Sequence, residues 1–123
     1  MSTAALTQQQ LEKQVGEFQN LQKEYSKAVS SRSTLEAQLK ENEMVKKEFD
    51  NIKDDATVYK LIGPVLVKQD RPEAAANVNK RIEYISGEIK RLETQIKSFE
   101  EKQEQKKMEI VKLQTAFEQL KQQ

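Results

Sequence analysis

The side chains best suited to holding an ion are Asp50, Asn51, Asp54 and Asp55. A calcium loop needs oxygen ligands at alternate positions and a glycine at its sharp turn. Ile52 takes the third position and Asp55 stands where the glycine belongs, so a solvated helix terminus fits better. The neighbouring carboxylates Glu100 and Glu101 lie in a charged stretch with no pocket to raise a pKa. Ser30, Ser31 and Ser33 offer hydroxyls to a kinase, but they read better as a polar helix surface. The 123 residues include no His and no Cys. That removes thiol nucleophiles, disulfides, most zinc sites and the usual general base near neutral pH. Catalysis is not expected, nor any metal or other cofactor.

Charge argues the same way. There are 21 basic and 20 acidic residues, for a net charge of +1. The densest basic cluster, Lys102, Lys106 and Lys107, is offset by Glu100, Glu101, Glu104 and Glu109, so no nucleic acid partner is indicated. No apolar run reaches the ~18 residues of a membrane span, and Met1-Ser2 opens neither a signal peptide nor a myristoylation motif. The cytoplasm is the expected location, with the nucleus second. Hydrophobic residues are 36% and charged residues 33%, with three Gly and two Pro. This balance suits long helices rather than a globule.

What remains to act are apolar surfaces, and their spacing is regular. Val78, Ile82, Ile85, Ile89, Leu92, Ile96, Phe99, Gln103, Lys106, Ile110, Leu113, Phe117 and Leu120 follow steps of four and three without a slip. Such a seam needs a partner helix along its length. A second seam runs Leu11, Gln14, Phe18, Leu21, Tyr25, Ala28, Arg32, Leu35, Leu39 and Asn42, then shifts through a stammer to Val45, Phe49 and Ile52. Polar Arg32 and Asn42 are candidates for setting register. Thr7 with Gln10 reads as a capping box and Leu6 with Leu11 as a hydrophobic staple, predicting helix from about Thr7 to about Ile52, roughly 70 Å. Asp70 as N-cap, Pro72 in the first turn and Glu73 predict a second helix to near Lys121.

Between the helices the texture becomes β-branched and aromatic. Thr57 to Ile62 and Val65 to Gln69 flank Gly63-Pro64 and read as a β-hairpin. Alternation sends Val58 and Ile62 to one face, Tyr59 and Leu61 to the other, leaving both faces apolar. A hairpin reverses the chain, so the helices should pair antiparallel. A residue-number sum near about 131 would place Tyr25 against Lys106, Ala28 against Gln103 and Phe49 against Ile82. The fold class is therefore mainly α: one long antiparallel two-helix coiled coil with a single β-hairpin between its helices. An isolated hairpin is marginal in water, and one with two apolar faces invites further strands. The inferred assembly is an oligomer whose hairpins share a sheet or barrel. Gly16 and Gly87 fall on the outer helix faces, at a cost of ~1 kcal/mol each against Ala.

The run Val58-Tyr59-Lys60-Leu61-Ile62-Gly63-Pro64-Val65-Leu66-Val67-Lys68-Gln69, set between two heptad helices, resembles the β-type prefoldin subunits. Leu35-Glu36-Ala37-Gln38-Leu39 and Lys80-Arg81-Ile82-Glu83-Tyr84-Ile85 are similar to the same family. The resemblance covers nearly the whole chain, 1–123, as one β-type domain: a helix over about 7–53, a hairpin over 57–69 and a helix over 70–121. It implies a heterohexameric chaperone of two α-type and four β-type subunits, with no nucleotide used. The clients would be non-native actin and tubulin, passed to the cytosolic group II chaperonin. By position, the assembly hairpin would comprise Val58, Tyr59, Leu61, Ile62, Gly63, Pro64, Val65, Leu66 and Val67. Client-binding tips would comprise Leu6, Leu11, Val15, Phe18, Leu113, Phe117 and Leu120, although the last three also fit the seam. A structural coiled-coil tether is the alternative, but it has no use for an apolar strand pair.

Overall fold

The computed structural model describes residues 2–122. They form α1 (Thr3–Asn51), β1 (Val58–Ile62), β2 (Val65–Gln69) and α2 (Arg71–Lys121). The described residues fall into two compact units. The hairpin unit spans Arg32–Arg91. The terminal unit joins the described residues up to Ser31 with those from Leu92 onward.

Helix α1 begins earlier than Thr7. The Ser2 hydroxyl accepts a bond from the Ala5 N–H at 3.1 Å, and the Ser2 carbonyl accepts from Leu6 N–H at 3.0 Å. Ser2 is thus the N-cap. Thr7, expected as the cap, lies inside the helix, buried, its hydroxyl donating to the Thr3 carbonyl at 2.9 Å. The reason is packing: Thr7 stands four residues before Leu11 and continues the seam. Leu6 turns to solvent, so the staple does not form. At the other end Ile52 N–H reaches the Glu48 carbonyl at 3.0 Å, and a tight turn from Lys53 to Ala56 follows. Helix α2 opens with the Asp70 carbonyl accepting from Ala74 at 2.9 Å. Pro72, which has no N–H to satisfy, sits in its first turn.

Both seams face inward at the anticipated spacing. In the hairpin unit Ala74, Val78, Ile85 and Ile89 are buried. In the terminal unit Thr7, Ala28 and Leu92 are buried, while Leu11, Phe18, Leu21, Ile96, Phe99 and Ile110 are half-buried. The α2 seam runs two steps further than the sequence pattern suggested, through Ala74 to a half-buried Arg71. Val45, the residue after the stammer, stays 43% exposed. Gly16 and Gly87 lie on exposed faces with open space around them.

The pairing register differs from a sum near 131. In the terminal unit Tyr25 donates to Glu100 at 3.3 Å rather than meeting Lys106, which bonds Gln14 and Glu17 instead. In the hairpin unit Phe49 lines a groove with Ala74 and Val78. Each unit is offset by about one heptad, the shift that a seven-residue repeat cannot detect because it leaves every core position facing a core position.

Candidate assembly and client surfaces

The hairpin is two antiparallel strands in the register Val58↔Gln69, Tyr59↔Lys68, Lys60↔Val67, Leu61↔Leu66 and Ile62↔Val65. Gly63 has φ +58°. A positive φ followed by the fixed negative φ of Pro64 is the sign pattern of a type II′ turn, whose twist suits a two-residue hairpin. In such a hairpin the pair flanking the turn exchanges hydrogen bonds, and every second pair after it does likewise. Backbone groups of Tyr59, Leu61, Leu66 and Lys68 therefore point outward along the two edges.

Cross-strand partners share a face, so Val58, Lys60, Ile62, Val65, Val67 and Gln69 lie on one side. Tyr59, Leu61, Leu66 and Lys68 lie on the other. Tyr59, Leu61, Ile62, Val65, Leu66 and Val67 are between 43% and 67% exposed. Val58 alone among the apolar strand residues is half-buried, beside Val45 and Phe49 of α1 and Ile52 just past its end. A strand pair with two apolar faces and two open edges can do one thing well, which is to accept other strands.

At the base of the hairpin lies a residue that sequence reasoning passed over. Arg71 donates from Nη1 to the Lys53 carbonyl at 3.1 Å. From Nη2 it donates to the Phe49 and Ile52 carbonyls at 3.1 and 3.2 Å. Nη1 also stands 3.6 Å from the Asp54 carboxylate. The available signal was the heptad itself, which steps back from Val78 through Ala74 to Arg71.

The proposed tip residues lie in the terminal unit. Leu6 is 48% exposed, while Leu11, Val15, Phe18, Leu113, Phe117 and Leu120 are half-buried along the seam. Met108 and Val111, at 61% and 58%, are more exposed than any of these and sit on the outer face of α2. Spacing outside the heptad gave no reason to single them out. The unit also contains a polar layer. The Lys106 ammonium bonds Gln14 and Glu17 and lies 3.8 Å from Glu109, within a unit where the buried Gln103 Nε2 has no hydrogen-bond partner. The bond from Lys106 holds the Glu17 carboxyl below its usual pKa, and the same bond raises Lys106. Among the described residues no group of three or more His, Cys, Asp or Glu could hold a metal. No described helix is long and apolar enough to cross a membrane.

Two heptad helices joined by a single exposed hairpin define a coiled-coil class of fold whose strand pair is left open. Comparison with known proteins makes the class specific. The family described as prefoldin subunit matches residues 12–123. The chain is 51% identical over 113 residues to prefoldin subunit 6 of Arabidopsis thaliana, covering 92% of this chain and 88% of the relative. It is 46% identical over 115 residues to prefoldin subunit 6 of Homo sapiens, covering 94% and 89%. The crystal structure of the prefoldin beta subunit from Thermococcus strain KS-1 matches with a TM-score of 0.76 at 27% identity, covering 88% of this chain and 92% of that one. The chain belongs to the prefoldin subunit family and is a component of a chaperone complex.

Proposed function

We propose that this chain joins, through its hairpin, a heterohexamer of α- and β-type subunits that holds non-native actin and tubulin. The complex passes them to the cytosolic group II chaperonin without nucleotide, in the cytoplasm. The observation that carries the assembly half is the strand pair Val58–Ile62 and Val65–Gln69, apolar on both faces and open at both edges. A tether would have no use for it. Client binding would fall to the helix ends of the terminal unit, where Leu6 is exposed and Leu11, Val15, Phe18, Leu113, Phe117 and Leu120 show only partial surface. Small apolar patches bind weakly, and several on one complex raise the effective concentration enough to hold a chain that must later be released.

The test places a charge in the strand pair. Val65→Asp should abolish co-purification with the partner subunits while the helical circular dichroism of the chain stays near wild type. Undiminished co-purification would remove the hairpin from assembly and leave the tether reading.

A further inference from the structure

We propose that Arg71 is the positioning residue for the hairpin: its guanidinium clasps the chain where it leaves α1 to the chain where it starts α2, and so fixes how the assembly strands are presented. This rests on the assembly role given above.

The geometry is specific to an arginine. Two nitrogens of one planar fork reach three carbonyls and one carboxylate, all contributed by residues 49–54. The Phe49 carbonyl lies in the last turn of α1 without a partner in the helix and the Ile52 carbonyl lies just beyond its end, so both need a donor from elsewhere. The Lys53 carbonyl, which already accepts from the Ala56 N–H, takes a second bond. The C-terminal end of α1 is also electrostatically poor. Its last turn has no basic residue and carries Glu48 and Asp50, whose charges oppose the partial negative charge of the helix end. The missing cation arrives from α2.

Position in the chain gives the clasp its consequence. The acceptors lie just before β1, whereas Arg71 lies two residues after Gln69, the last residue of β2. One side chain therefore closes the whole excursion that contains the strands. Packing does only part of this work: Val58 is half-buried beside Val45, Phe49 and Ile52, but the segments on either side of the strands border an open groove of about 490 Å³. Lysine would bring one compact ammonium in place of the fork and could not match the set of acceptors.

Hydrogen exchange on the full chain, alone and co-expressed with its partner subunits, tests the clasp. In Arg71→Ala the inward-bonded amides of Lys60, Ile62, Val65 and Val67 should exchange about tenfold faster, the effect of losing a charge-assisted bond. Amides at Ile85 and Ile89 should keep wild-type protection, and the yield of assembled complex should fall about as much. Arg71→Lys should fall between, and Asp54→Asn, which touches only the ion pair, should behave as wild type. Unchanged hairpin exchange, or an equal rise at Ile85 and Ile89, overturns the positioning role. Selective loosening with an undiminished yield overturns its link to assembly. Failure of the assembly reading itself would show separately, as a Val65→Asp chain that still assembles.

Discussion

Lys106 occupies a position where the heptad asks for Leu or Ile, and its surroundings explain how it is tolerated. An ammonium half-removed from water needs acceptors, and Gln14 and Glu17 supply them from the facing helix. The defect itself was visible in the sequence as one of two polar residues in an otherwise apolar seam. The partners were not, because they depend on the register, and the repeat is blind to slips of seven. The pairing carries a pH signature. A carboxyl with a lowered folded-state pKa stabilises above its ordinary value, about 4.3 for Glu, and that contribution is lost as pH falls through the lowered value. Lys106, raised, contributes fully below its ordinary pKa and loses that contribution only as pH rises through the raised one. The melting midpoint of wild type should therefore exceed that of Glu17→Gln at neutral pH, and the gap should close as pH drops through the carboxylate range. The Glu88 carboxyl, lowered by its bond from Arg91, is present in both chains and cancels in the difference. A gap that persists unchanged at pH 3 would show that the pair contributes through packing rather than charge.

At the level of elements, the hairpin was the most legible part of the chain. Its turn dipeptide, its alternation and its limits all follow from residue type, and strands at 58–62 and 65–69 fall within the 57–69 anticipated. Helix starts were less legible. Ser2 and Thr7 are both good caps, and only tertiary burial of Thr7 decides between them. Arg32 and Asn42 illustrate the same limit. Arg32 pairs with Glu36 on its own helix at 3.4 Å, and Asn42 turns back to the Gln38 carbonyl at 2.8 Å, contacts that a heptad diagram does not anticipate. The turn yields a clean prediction. A Cβ at Gly63 would meet nothing within 4 Å, so any cost of substitution is conformational. At φ +58° that cost is ~1–2 kcal/mol for an L-residue, and less for Asn. In an assembly titration, Gly63→Ala should need about tenfold more protein to half-assemble, with Gly63→Asn nearer wild type. Equal titrations for all three chains would mean that partner strands impose the turn.

For the molecule as a whole, family membership follows from sequence similarity along almost its full length, and the mixed charge argues for proteins rather than nucleic acid as partners. What sequence alone leaves open is which apolar residues are surface and which are seam, since one residue type serves both. Exposure separates them in part. Leu6→Glu should weaken suppression of actin aggregation, read by light scattering, without moving the thermal melt of the chain. Phe117→Ala, half-buried on the seam, should cost ~3 kcal/mol of unfolding free energy, the low end for an aromatic truncation, and so lower the melt. Full suppression by Leu6→Glu would remove the N-terminal end of α1 from client contact.

The open strand pair also has a bearing on supply. A copy of this chain made in excess of its partners presents two unpaired edges flanked by Leu61, Ile62, Val65 and Leu66, a short template on which other chains can stack, opposed only by the charges of Lys60 and Lys68. A subunit left without strand partners thus exposes the kind of apolar edge that the proposed assembly would cover. On the proposed assembly, how much of it can be made safely depends on the supply of strands to cover that edge.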